Sequence, residues 1–416
     1  MFRFKALAVA VAAVLGAGAF IAPAQAEDKE ILVWADETRG PNLTKVFEAK
    51  NDWVAGYKVV VRTFSSFDAL KTAVDNATDL TGPDIIVGAN DWVPTGAKNG
   101  KLAPITLSNS VKNRFTANNL FDLSYKGNLY GVPLDINNVA MIYNTKLVKS
   151  APKSFGEMVD YYNANKSKAK LVAGLCIAGG GMSWGAHSVL SALCGNPYVL
   201  KNGKVVTTGN PVPAEFAANV KKYLLAKNGK GNGFFPASDA GCKDNFLAGK
   251  VPFAVIGNWE WKDYVFKGFK MNLMPVPGVK AGTYGNMFGS VSGAMLTTYA
   301  AKRGVEAGAK DLLTKFFAST EGSIRYQSVE LRPPAEKGAQ QADLTAAQVG
   351  FGKAGTAAGI PQIGAILNGT AGSASYWDLL PAFWTAVLTE GKNPTAEAKK
   401  LNDFFKKNIE AGVKDL

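Results

Sequence analysis

Histidine is almost missing from this chain of 416 residues: His187 stands alone, beside three cysteines, Cys176, Cys194 and Cys242. A structural zinc site takes about four Cys or His ligands at short spacing, so that class of centre is excluded. Three cysteines also staple too little of such a length to make a disulfide-dense scaffold. Long apolar runs are scarce too. The single one lies at the extreme N-terminus, which excludes a polytopic membrane protein. No P-loop and no H-E-x-x-H motif occurs, and no G-x-S-x-G nucleophile elbow is expected. What is present is ordinary globular material, 47% hydrophobic, 11% aromatic and 19% charged, which excludes a disordered chain. The length calls for two or more domains.

The N-terminal run reads as a signal peptide. Arg3 and Lys5 form the basic start, Ala6 to Ala22 the apolar core, and Ala24-Gln25-Ala26 the small-residue cleavage pattern. Residues 1–26 are therefore expected to be removed, and the mature chain to begin at Glu27 and work outside the cytoplasmic membrane, in the periplasm or at the cell envelope. With no cysteine near the cleavage site, lipid attachment there is not expected.

Loss of Arg3 and Lys5 takes the formal charge from +13 to +11. The remaining lysines are mostly single or paired, as at Lys221-Lys222 and Lys406-Lys407, on segments that read as solvated helix faces. This is a generally basic surface that favours solubility and attraction to anionic surfaces, not the stripe of a nucleic-acid binder. Export with three cysteines predicts at most one disulfide and at least one free thiol, with the pairing open. A Cys–His nucleophile pair from His187 and Cys194 has no partner motif to support it.

Continuous apolar strands alternate with helices. Ile31 to Ala35, Lys58 to Phe64 and Asp84 to Gly88 read as strands, separated by helices over 41–50 and from Phe67, the latter capped by Ser65 or Ser66. Later strands are expected over 139–144, 170–177, 251–256 and 293–298. Helices are expected over 182–193, 216–225, 242–248 and 305–317, and from Pro394 to the end, with Asn393-Pro394 as its start. Such alternation indicates parallel sheets covered on both faces, whose ligands collect beyond the carboxyl ends of the strands. That points to Asp36-Glu37-Thr38-Arg39 and to Asn90-Asp91-Trp92. Gly179-Gly180-Gly181 before a helix offers bare N–H groups, a weak anion signal.

Eight tryptophans are present, and Trp92, Trp184, Trp259 and Trp377 fall where loops should meet. Flat indoles suit the apolar faces of pyranose rings, while carboxylates and amides suit their hydroxyls. Trp34 and Trp384, inside a strand and a helix, read as core, and Trp261 as structural packing.

Gly82-Pro83-Asp84-Ile85-Ile86 followed by Asn90-Asp91 resembles the family-1 extracellular solute-binding proteins, in particular those for maltose and maltodextrins. Lys126 to Pro133, Ile142-Tyr143-Asn144, Pro152 to Phe155 and Phe253 to Trp261 resemble further family segments in the same order, across nearly all of the mature chain. The resemblance implies an α/β, two-lobed periplasmic-binding-protein-like fold of type II. Its ligand cleft would lie between lobe 1 (27–134 plus 292–332) and lobe 2 (135–291 plus 333–416), joined by hinge crossings near Asp135, 288–291 and Pro333. Arg39 matches the family's lysine in the first ligand loop, with Asp36 and Glu37 beside it. Asp91, next to Asn90, matches a sugar-hydroxyl acceptor. Trp92 stands in place of an arginine, Asn137 in place of a glutamate that Asp135 compensates, and Gly88 in place of a stacking tryptophan. Trp184, Trp259 and the pair Tyr376-Trp377 fall at or near the stacking aromatics of the second lobe.

The expectation is thus a monomeric, non-enzymatic carbohydrate receptor for an ATP-driven ABC importer, without cofactor or metal, for maltose, maltodextrin, trehalose or a related glucoside. The altered Trp92, Asn137 and Gly88 count against strict maltodextrin specificity. The alternatives are another solute, such as glycerol phosphate or a polyamine, and a secreted glycosidase.

Overall fold

The structure, a computed structural model, describes residues 28–201, 204–207, 209–369 and 373–415. The signal segment 1–26 and the expected start at Glu27 lie outside the described residues.

Strand β1 (Lys29–Ala35) carries the run Ile31-Leu32-Val33-Trp34-Ala35 and pairs in parallel with β2 (Tyr57–Thr63) and β3 (Ile85–Ala89). The helix α1 (Arg39–Ala49) and the helix α2 (Phe67–Asn76) make the crossovers. Ser66 caps α2 by accepting from the Ala69 amide, which fixes where the helix starts. β4 (Gly131–Asn137) closes the far edge of this sheet. The chain leaves it at Asn138, and β5 (Val139–Tyr143), β6 (Leu175–Ile177) and β7 (Phe253–Gly257) build a second sheet in the order β5-β7-β6. β8 (Ser290–Leu296) then returns to the first sheet, antiparallel to both β3 and β4, and completes the order β2-β1-β3-β8-β4. The architecture is mixed α/β.

Two separate hydrophobic cores follow the two sheets. One draws on residues between Ile31 and Leu134 and between Val291 and Ala335; the other on residues between Val139 and Phe288 and between Phe351 and Ile409. Trp34 is buried in the first and Trp384 in the second. Trp261 is half-buried against the second. Helices α3 (Phe155–Asn165), α4 (Tyr376–Trp384) and α5 (Pro394–Asp415) cover the second core.

Most expected elements lie within a few residues of their observed bounds. Two differ more. The strand expected over 170–177 is confined to Leu175–Ile177, because Lys170 turns the chain at φ 51° and the amide of Val172 bonds to the carbonyl of Lys250 instead. The helix expected over 182–193 is split into Gly181–Trp184 and His187–Cys194. Gly185 sits at the break, pressed so closely on the carbonyl of Gly179 that a side chain there would collide.

Candidate functional site

Where the two cores approach each other, five charged side chains are packed together. Asp36 follows β1 and accepts from the Thr38 amide (3.0 Å) and the Arg39 amide (2.8 Å), which seeds α1. Its second oxygen faces Arg39 Nη1 at 2.7 Å. The same guanidinium reaches Asp135 through Nε (3.2 Å) and Nη2 (3.1 Å), and Nη2 also meets Asn137 Oδ1 and Ser292 Oγ. Arg332 stands beside it, with Nη2 donating to Thr38 Oγ1 at 2.8 Å and Nε paired with Glu330 at 2.9 Å. Burial opposes the charge on Asp36, but the guanidinium groups of Arg39 and Arg332 outweigh it and hold the carboxyl well below its usual range. Burial likewise opposes the charge on Arg39, and Asp135 and Asp36 more than offset it.

A row of aromatic rings continues from this network. Arg332 lies 6.0 Å from the ring of Trp259, and Trp259 lies 5.6 Å from Trp184. Phe288 follows at 6.3 Å from Trp184, and Trp377 at 5.5 Å from Phe288. Trp259 emerges past the carboxyl end of β7 and Trp184 past that of β6, the positions at which open α/β sheets present side chains to ligands. The indole N–H of Trp184 donates to Gln362 Oε1 (2.6 Å), and that of Trp377 to Asn368 Oδ1 (2.9 Å).

The two amide residues also hold the loop after β3. Asn90 Nδ2 donates to the Gln362 carbonyl at 2.9 Å, and Asn368 Nδ2 to the Asp91 carbonyl at 3.3 Å. Gly364 meets Asp91 so closely that a Cβ there would stand 2.8 Å from its carbonyl oxygen. Burial pushes the Asp91 carboxyl up to about 6, against the bond from Gln362 and the charge of Lys71, and its Oδ1 is buried without a partner.

The structure therefore brings Asp36, Arg39, Asp135, Asn137, Asn90, Asp91, Trp184, Trp259 and Trp377 into one band. Three other expected residues lie outside it. Glu37 is exposed. Trp92 is buried in the first core, 5.0 Å from Phe67, with its ring filling the space that Gly88 leaves open. Tyr376 is buried behind the row, its hydroxyl 2.6 Å from His187 Nδ1. Phe288, Arg332, Gln362, Asn368 and Ser292 complete the band and escaped the sequence reading. None lies in a motif, and only the fold brings them near the tryptophans.

Among the described residues neither Ser183 nor Cys194 is hydrogen-bonded to His187. Gly181-Met182-Ser183-Trp184-Gly185 has the spacing G-x-S-x-G, a pattern the sequence reading passed over. Ser183 Oγ is turned to the Gly180 carbonyl, and the one histidine is stacked 4.2 Å from Phe288 and bonded to Tyr376. Burial holds His187 down to about 3 and pushes the Cys194 thiol up to about 12. Cys194 is the free thiol, and Cys176 and Cys242 form the disulfide. Beside Gly181, a cavity of about 300 Å³ is lined by Ala178, Asp239, Gly241, Cys242, Lys243, Asp244 and Tyr264. Among the described residues no Cys, His, Asp and Glu are grouped to hold a metal, and no helix is long and apolar enough to cross a membrane.

Across residues 42–353, three quarters of the chain, the sequence fits the pattern of the bacterial extracellular solute-binding proteins. The chain belongs to that family. This solute-binding protein is 25% identical over 267 residues to the maltotriose-binding protein of Pyrococcus abyssi, covering 60% of this chain and 54% of that one. Over 133 residues it is 32% identical to a maltooligosaccharide ABC transporter solute-binding lipoprotein of Streptococcus pneumoniae, covering 32% of this chain and 31% of that one. Over 140 residues it is 28% identical to the maltodextrin-binding protein of Bacillus subtilis, covering 33% and 32%. The solute-binding protein thus spans about half the length of the first of these relatives and about a third of the other two.

Proposed function

We propose that the protein is an exported, monomeric receptor that binds a small neutral glucoside and hands it to an ATP-driven ABC importer, without chemistry of its own. The observation that carries this reading is the set of half-buried tryptophans Trp259, Trp184 and Trp377, linked through the buried Phe288 and lying between a set of paired charges and the Asn90–Asp91 loop. Indoles offer pyranose rings broad apolar contact, and Asp91, with an unpartnered oxygen, suits a sugar hydroxyl. The relatives that bind maltotriose, maltooligosaccharides and maltodextrins support the same class of ligand. A phosphate-bearing solute fits less well, since Arg39 and Arg332 already face Asp36, Asp135 and Glu330.

On this reading the two cores are the two lobes and the ligand lies between them. The expected bounds, 27–134 plus 292–332 and 135–291 plus 333–416, shift by a few residues, because 135–137 and 290–291 belong to the first sheet and Ala335 to the first core. The chain passes between the cores three times, at Asn138, at Gly289 and between Ala335 and Phe351, and the first two are short stretches suited to hinge closure. Titration calorimetry with maltose, maltotriose and trehalose, beside glycerol 3-phosphate and spermidine, tests the ligand class. Tight binding of one glucoside alone is expected; binding of the phosphate or the polyamine instead would overturn it. Small-angle scattering should show a smaller radius of gyration with that sugar. Turnover of a chromogenic glycoside would replace the receptor by a glycosidase.

A further inference from the structure

Charge is very unevenly spread along this chain. Residues 143–280 hold eighteen lysines and no arginine against seven carboxylates, so this third of the sequence carries +11 of the total +13. The fold concentrates part of that excess further. β5 ends, and β6 and β7 begin, at the pole of the second sheet opposite to Trp184 and Trp259. Four loops meet there. The amide of Val172 donates to the Lys250 carbonyl (3.0 Å) and that of Asn144 to the Pro252 carbonyl (2.8 Å). Asn272 exchanges two bonds with the backbone of Tyr143 (2.9 and 2.7 Å).

The loop after β5 brings Lys146 and Lys149 to this pole. The stretch after α3 adds Lys166, Lys168 and Lys170, the turn before β7 adds Lys250, and the 265–273 loop adds Lys267 and Lys270. All of them are exposed. Within residues 144–152, 161–172, 245–252 and 265–273 there is no Asp or Glu. Among the described residues none of these lysines has a carboxylate partner, although elsewhere surface lysines such as Lys71, Lys310 and Lys315 are paired along their own helices. Two apolar side chains stand out between them, Val172 at 53% and Val265 at 45% exposure.

We propose that this basic pole is a docking surface for an anionic lipid bilayer. Lysine ammoniums are compact point charges that meet phosphate headgroups without fixed geometry, and clustered lysines are drawn to anionic leaflets. The exposed Val172 and Val265 favour a bilayer over a dissolved polyanion, because only a bilayer offers an apolar layer beneath its charges. The pole lies away from the aromatic row, so docking leaves that row uncovered.

Co-sedimentation of the mature protein with phosphatidylcholine vesicles, with and without phosphatidylglycerol, tests this. Binding is expected only with the anionic lipid. It should be strong at about 0.01 M salt and lost at about 1 M, where the screening length falls from ~30 to ~3 Å. The triple variant Lys168→Glu, Lys170→Glu, Lys250→Glu should lower partitioning roughly tenfold or more. A control of equal charge change, Lys45→Glu, Lys58→Glu, Lys406→Glu, should change it far less. Val172→Ser with Val265→Ser, which leaves the charge intact, should weaken binding several-fold. Equal losses in the two charge variants would reduce the effect to net charge and overturn the proposal. So would capture on soluble polyphosphate without vesicle binding.

Discussion

Arg332 places its guanidinium 6.0 Å from the ring of Trp259, while its Nε pairs with Glu330 and its Nη2 with Thr38. This indole thus has a charge held from the first core as one neighbour and Trp184 as another. The aromatic row and the charge network are one structure, and a change at either end should be felt through Trp259.

Replacing Trp259 by Ala is therefore expected to weaken binding of the sugar found by calorimetry by roughly tenfold to a hundredfold, at about 1.4 kcal/mol per decade. The ligand-free melting temperature should fall only modestly, since the ring is half-buried. Trp34→Ala should do the opposite and cost about 3–5 kcal/mol of stability, because Trp34 is buried in the core of the first sheet. Normal sugar binding by an early-melting Trp259→Ala protein would show that this residue is structural.

Asp36 titrates with a depressed pKa in the folded chain, so its contribution to stability is present above the unfolded value of about 3.9 and is lost as the pH falls below it. The variant Asp36→Asn should be less stable than the parent at pH 7 and show a flatter acid limb below about pH 4. Urea denaturation across pH 2–7 measures both.

Asp91 has the opposite sign. Its folded value of about 6 lies above the unfolded one, so the native state binds more protons and loses stability as pH rises from about 4 to about 6. Asp91→Asn should remove that loss, so the variant gains on the parent as the pH is raised from 4 to 7. Asp122 and Glu260 are also pushed up by burial, which is why the difference between parent and variant, not the parent curve alone, carries the test. Thermal melts at stepped pH provide it.

The Cys176–Cys242 bridge closes a separation of 66 residues. Alkylation of the unreduced, denatured protein should label one cysteine, Cys194. A variant with Cys176 and Cys242 both changed to Ser should be less stable by about 2–4 kcal/mol. Mass spectrometry and urea denaturation decide these two points.

The elements of the first sheet were legible because parallel strands buried on both faces are written as unbroken apolar runs, as in Ile31 to Ala35 and Ile85 to Val87. The short strand Leu175–Ile177 was read too long, since a positive φ at Lys170 has no signature when the residue is not Gly or Asn. The site was legible where a residue follows a strand, as for Asp36, Asp91 and Trp259. Trp92 misled because its loop position looks the same whichever way the ring turns, and only the space above Gly88 draws it inward. Gln362 and Asn368 lie beyond residue 353, where the family pattern ends, and nothing local distinguishes them from other loop amides.

Trp184 and Trp377 each give their indole N–H to a side-chain amide, and those same two residues are tied to the loop after β3. Their rings are therefore oriented by hydrogen bonds that are independent of any sugar. The rotamer freedom of both indoles is surrendered when these contacts form, and a sugar arriving afterwards has little side-chain motion left to arrest. On the proposed function, discrimination by shape would follow, since a ring of the wrong outline would have to break an existing bond in order to enter.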